Sequence, residues 1–155
     1  MQQPNPQAPE RFKRPESVLV VVYTETGKVL LLRRADNSQA WQSVTGSLHW
    51  DESEPMEAAR RELLEETGIV AGTGLLDWKQ QNRYPIHPLW RPRYAPDVSH
   101  NLEHIFSLLL PEVEPVSINP AEHSGYQWFS FDEALNKVRF ESNRQAIQQI
   151  MLSTH

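Results

Sequence analysis

The sequence predicts an α+β domain in which a mixed β-sheet lies between helices. Three observations carry that reading. Near the start are two runs dense in β-branched and apolar residues. A middle stretch has apolar residues at helical spacing, and strand-like and then helix-like runs follow it. At 155 residues the chain is the size of one domain with a substantial core.

The opening MQQPNPQAPE, residues 1–10, is rich in Pro and Gln with almost nothing to bury. It reads as a disordered tail ahead of a single domain over 11–155. SVLVVVYTETGKVLLLRRA then forms two strands around a turn at Thr26-Gly27, a hairpin. WQSVTGSL is a further short strand ending at Gly46. A helix starts in Asp51-Glu52-Ser53-Glu54-Pro55, where acidic residues and a proline suit the first turn, and stops at Gly68. Met56, Ala59, Leu63 and Leu64 set its inward face, with Glu65 opposite and Glu62 and Glu66 along one flank.

LLDWKQQNRY reads as another strand, whereas RYPIHPLWRPRYAPDVSHN, with four prolines from Pro85 to Pro96, predicts a long irregular excursion. Loops of that length in compact domains are often functional. EHIFSLLLP, nearly all apolar, predicts a central strand and YQWFSF a further one. FDEALNKV and SNRQAIQQIML predict closing helices capped by Asp132 and Ser142.

Bulk properties narrow the function. A net charge of −5 argues against a broad basic face for a nucleic-acid polymer. The absence of cysteine excludes disulfides, thiolate metal sites and cysteine nucleophiles. VLVVVY is far too short to span a membrane, and no small-residue cleavage site follows it, so a cytoplasmic protein with no membrane partner is the default expectation.

One stretch stands out chemically. RRELLEETGIV crowds Glu62, Glu65 and Glu66, and residues three and four apart on a helix are neighbours. Each such like-charge pair costs a few tenths of a kcal/mol. Helix surfaces are commonly charged, but a carboxylate trio on one ridge after a glycine-containing loop is also an oxygen-ligand set for Mg²⁺. A bound cation would remove the repulsion.

From Gly46 to Ile69 the chain resembles the signature of the Nudix hydrolases. Its second half stands here as Arg61, Glu62, Leu63, Glu65, Glu66, Gly68 and Ile69. The first half departs by one inserted residue ahead of Arg61, which leaves open whether Glu52 or Glu54 takes the role of the first signature glutamate. The resemblance implies a Nudix α/β/α sandwich. It also implies Mg²⁺-assisted hydrolysis, with Mn²⁺ as a substitute ion, of a diphosphate joined to another moiety. By position it implies Glu62 and Glu66 as metal ligands, Glu65 as an assisting group or general base, and Arg61 as a cation that orients a neighbouring glutamate.

Outside the signature, KRP at 13–15, LLLRR at 30–34, RYAP at 93–96, EHSGYQW at 122–128 and SNRQAI at 142–147 occur in an order similar to one bacterial branch of that family. That branch releases pyrophosphate from dihydroneopterin triphosphate in folate biosynthesis, and it also resembles enzymes that take dATP. The likeness implies Glu122 as a third metal-binding carboxylate near substrate and a second candidate base. It implies Lys13 and Arg33 as triphosphate contacts, which agrees with the need of a polyanion for fixed cations. Thr45 is implied as a substrate contact, and Tyr84, His87 and Phe140 as walls of a base or pterin pocket.

Three alternatives stand beside this reading: a nucleoside triphosphate substrate, a non-catalytic binding module on the same fold, and a zinc peptidase using His100 to His104. The module would be expected to have lost signature glutamates, and none of the three is missing. The HNLEH motif would need both histidines on one helical turn.

Overall fold

Strand β1, Glu16–Thr24, is buried on both faces from Ser17 onward, and the rest of the molecule is arranged around it in this computed structural model, which describes residues 11–154. The tail expected at 1–10 lies outside the described residues. A hairpin turn leads to β2, Lys28–Arg34, with Gly27 at φ 86°, a conformation that glycine adopts without steric cost. The turn closes as expected: the Gly27 N–H donates to the Thr24 carbonyl at 3.0 Å.

The single strand expected over 41–48 is two. β3, Trp41–Gln42, pairs with β2, and β4, Val44–Ser47, pairs antiparallel with β1. Between them the chain changes partners at Ser43, whose backbone N–H is taken up by the Asn143 side-chain oxygen at 2.8 Å. β6, His100–Leu110, is the central strand its composition predicts. It runs parallel to β1 from Glu16↔Leu102 to Thr24↔Leu110 and antiparallel to β5, Leu75–Pro85, on its other edge. β5 bulges between Asp77 and Gln81, where Lys79 takes φ 55° and its N–H bonds the Asp77 carboxylate. β7, His123–Ser130, pairs antiparallel with β2 and completes a seven-stranded mixed sheet.

Because β5 continues through Pro85 and β6 begins at His100, the proline-rich excursion narrows to 86–99, with one 3₁₀ turn at Arg91–Arg93. The HNLEH motif lies wholly in β6. Residues four apart on a strand are separated by about 13 Å, so His100 and His104 cannot share a zinc ion.

Strand alternation sends Val18, Val20, Leu30 and Leu32 to one face of the sheet, under helix α1, Pro55–Thr67. Leu19, Val21, Val29 and Leu31 go to the other, under α2, Phe131–Lys137, and α3, Glu141–Ser153. The sheet therefore lies between helices, as expected. α1 begins at its proline and ends on Gly68 at φ 75°, but its inner face is shifted from the predicted one. Ala58, Ala59, Glu62, Leu63, Glu66 and Thr67 are buried, while Leu64 is 53% exposed. None of the described helices is long and apolar enough to cross a membrane.

The expected caps are also corrected. α2 is capped by Ser130, not Asp132. Ser130 keeps extended backbone at the end of β7, so its hydroxyl accepts from the Glu133 N–H while the Glu133 carboxylate accepts from the Ser130 N–H. Asp132 is already within the first turn. α3 begins at Glu141 with Phe140 in the N-cap position, so Ser142 lies inside the helix and no side chain caps it.

The capping assignment has a direct test. Ser130→Ala is expected to cost about 1 kcal/mol of unfolding free energy, and Asp132→Ala less than about 0.5 kcal/mol, both read from urea midpoints at unchanged slope.

Candidate active site

The glutamates of α1 face the sheet, not a solvent flank. Glu62 and Glu66, one turn apart, are 8% and 2% exposed. Room for the first comes from Gly46 on β4: a methyl at that position would sit 2.1 Å from the Glu62 carboxyl carbon. Glycine is required there by close approach, since nothing larger than hydrogen fits. Glu66 pairs with His123 Nε2 at 2.6 Å.

Arg61 holds this cluster from its outer side. Its Nε and Nη2 grip the two oxygens of Glu52 at 3.0 and 2.9 Å. Nη1 reaches Glu62 at 2.7 Å and Glu65 at 3.2 Å, and Nη2 also donates to the Ser47 carbonyl. The residue that pairs with Arg61 is therefore Glu52, whose carboxyl the Arg61 hydrogen bonds hold below the usual range. Glu54 is exposed and serves only as the backbone N-cap of α1.

Burial, reinforced by the neighbouring charge of Glu66, pushes Glu62 up to about 8. Burial likewise pushes Glu66 up to about 8. At neutral pH without a cation, the pair retains a proton. His123 is shifted the other way, downward, by burial. Two buried atoms in this cluster, Glu66 Oε2 and His123 Nδ1, have no hydrogen-bond partner among the described residues. Such groups cost roughly 1–3 kcal/mol each when left unmet.

Across the cleft, exposed Glu122 brings a carboxylate oxygen within 4.8 Å of ligand atoms on Glu66 and His123. Carboxylate oxygens with an imidazole suit a divalent cation, and the unmet Glu66 Oε2 is the observation that fits one here. The cluster opens on a cavity of about 710 Å³ that also carries Lys13, Arg34 and Arg93. A polyanion could lie between these cations and the acidic cluster.

A second cavity, of about 580 Å³, continues from the first and shares Lys13, Arg34, Gln42, Thr45 and Arg93 with it. Tyr84, His87 and Phe140 line this second space. Tyr84 accepts from the Asn101 side-chain amide at 3.0 Å, and burial pushes its hydroxyl up to about 12. Trp90 packs edge-on to Phe140 and beside His87, closing one wall.

The NUDIX domain profile matches residues 13–150. The chain belongs to the Nudix family. It is 39% identical over 146 residues to the dihydroneopterin triphosphate diphosphatase of Escherichia coli K12, covering 92% of this chain and 95% of that one. Identity to the Haemophilus influenzae protein of the same description is 37% over 148 residues, with 92% and 91% covered. The solved structure of the E. coli dihydroneopterin triphosphate pyrophosphohydrolase superposes with a TM-score of 0.83 at 38% identity, covering 92% of this chain and 98% of that one.

Set against this Nudix fold, most residues singled out in the sequence converge. Glu62, Glu65, Glu66, Arg61 and Glu122 surround the acidic cleft, and Lys13 and Thr45 line both cavities. Arg33 is the exception and is corrected. It shares the α2/α3 face of β2 with Val29 and Leu31, bonds Ser124 at 2.9 Å and lies over Trp41. Its neighbour Arg34 takes the cleft face with Leu30 and Leu32. Sequence reasoning also passed over His123, Arg93 and Trp90. The only signal for His123 was its place beside Glu122 in a short strand.

Three outcomes follow. A raised carboxyl pKa means that the folded chain holds a proton the unfolded chain has released, so stability of the metal-free protein falls as pH rises from about 4.5 to about 8. Saturating Mg²⁺ is expected to raise the melting temperature by about 5–10 °C near pH 8 and less near pH 6, compared with chelator. Gly46→Ala is expected to weaken Mg²⁺ binding about tenfold or more in calorimetric titration, because the added methyl displaces Glu62.

Proposed function

We propose that this protein is a Mg²⁺-dependent pyrophosphohydrolase that converts dihydroneopterin triphosphate to the monophosphate and pyrophosphate. The observation that carries the reading is the continuity of the two cavities. One end is acidic and flanked by Lys13, Arg34 and Arg93, and the other is walled by Tyr84, His87, Trp90 and Phe140. A triphosphate with a flat heterocyclic head matches that division. Relatives of this description at 37–39% identity along more than nine-tenths of the chain support the same substrate.

Glu62, Glu66 and Glu122, with His123 beside them, would hold the cation. When bound, Mg²⁺ supplies charge neutralisation and Lewis-acid activation of water. Lys13, Arg34 and Arg93 supply the positive charge for phosphate oxygens, with the Nε–Nη2 fork of Arg34 already held by the Asp36 carboxylate at 2.8 Å. Arg61 fixes Glu62 and Glu65 in place and is itself fixed by Glu52. Water attacks a phosphorus, the phosphoanhydride P–O bond breaks towards pyrophosphate, and Glu65 or Glu122 takes the proton of the attacking water. Both are exposed to the cleft and neither is committed to the buried pair.

Pyrophosphate release tests this. Dihydroneopterin triphosphate is expected to exceed dATP in kcat/KM, and Glu66→Gln to lower kcat by about 100-fold or more with no loss of melting temperature in the absence of metal. Full activity of Glu66→Gln would overturn the cation site. Preference for dATP would move the substrate to nucleotides, and a wild type that turns over neither would leave a binding module.

A further inference from the structure

The polar side chains of the second cavity are mostly engaged with one another. Gln42 bonds Arg34 and Thr45, Asn143 bonds Ser43, and Ser17 and Tyr84 meet the same end of the Asn101 amide. Two buried groups are left over. Glu103 is 4% exposed and Asn101 3%, yet Glu103 Oε1 and the far end of the Asn101 amide have no hydrogen-bond partner among the described residues. They stand two residues apart on β6, on the face opposite α1, and both line the cavity.

Burial raises the Glu103 carboxyl, opposed by the nearby side chains of Ser142 and Asn82. A buried carboxyl without full hydrogen bonding is costly unless it meets donors. Of the cations lining the space, Lys13, Arg34 and Arg93 also border the acidic cleft, where the phosphates of a bound substrate would engage them, and Arg83 lines the second cavity alone. Glu103 is thus the buried acid of the head-group end.

We propose that Glu103 selects the heterocycle, its carboxyl receiving the two adjacent N–H donors of a 2-amino-4-oxopyrimidine edge. In a pterin those donors are the ring N3–H and the exocyclic amino group, spaced to meet the two oxygens of one carboxylate. Guanine carries the same edge. Adenine does not: beside its single amino group is a ring nitrogen lone pair, which would face a carboxylate oxygen unmatched. A site built to bond a given N–H rejects an analogue lacking it more strongly than an apolar pocket rejects a change of size. The identity of the physiological substrate rests on the function proposed above, whereas the pocket chemistry does not.

The experiment is steady-state pyrophosphate release by wild type, Glu103→Gln and Glu103→Asp with dihydroneopterin triphosphate, dGTP and dATP. Each ratio of kcat/KM is taken within one preparation, so the folded fraction cancels. Glu103→Gln is expected to lower the pterin-to-dATP ratio about 10- to 100-fold, the range given by losing a hydrogen bond to a charged group. The dGTP-to-dATP ratio is expected to fall in the same direction. Glu103→Asp, which withdraws the acid by one methylene, should shift both ratios the same way. Equal losses on all three substrates, or unchanged ratios, overturn the proposal. A wild type active on dGTP but not on the pterin would remove the pterin as substrate, while the guanine-to-adenine ratio still decides the role of Glu103.

Discussion

Two carboxyl groups, Glu62 and Glu66, are buried within one turn of each other on a helix that packs against a sheet, and the surrounding structure answers that constraint. Packing α1 through Ala58, Ala59 and Leu63 carries both glutamates inward with it. Their burial is sterically allowed only because β4 presents Gly46 to Glu62, and electrostatically tolerable only with a proton or a cation between them. Arg61 compensates from outside the pair, and His123 engages one Glu66 oxygen from the far side. The remaining oxygen, Glu66 Oε2, is buried with no partner among the described residues.

The sheet topology places everything else relative to that pair. β1 pairs with β4 along the first part of its length and meets β2 only at the hairpin, so the two strands diverge and β7 joins β2. The divergence brings Glu122 and His123, at the entry to β7, beside α1 across the cleft. The parallel pairing of β1 with β6 sets Ser17 beside Glu103 and Asn101 on the opposite face of the sheet. Arg34, at the end of β2, reaches from the acidic cleft to the Trp90 ring at 5.7 Å and so borders both spaces. The acidic end and the head-group end are therefore neighbouring regions of one groove.

Much of this was legible in the sequence, and the misses share a cause. Element type followed from local chemistry: β-branched runs, a proline at the start of α1 and a glycine at its end are signals that need no knowledge of the partner surface. Which face an element presents depends on tertiary packing. Leu64 and Glu62 are both compatible with a helix interior by spacing, and only the presence of Gly46 on β4 decides that the glutamate goes inward. Arg33 and Arg34 alternate by the period of a strand, but assigning one to the cleft required knowing that α1 covers the face shared by Leu30 and Leu32. Ser130 and Asp132 are equally good caps by residue type, and the end of β7 decides between them.

The inserted residue ahead of Arg61 shows how strongly the pair dominates. An extra residue within α1 would rotate everything after it by about 100° and turn Glu62 and Glu66 away from Gly46. The helix starts at Pro55, so the residues from Glu52 to Glu54 lie before its first turn. Glu54 caps through its backbone alone, and the Ser53 hydroxyl donates to the Glu57 carboxylate at 3.1 Å. Glu52 is held by a turn in which its carboxylate accepts from the His49 N–H at 2.7 Å, and from there both oxygens still meet the Arg61 fork. The register of α1 from Arg61 onward is set by the two buried carboxyls, with Glu62 seated against Gly46.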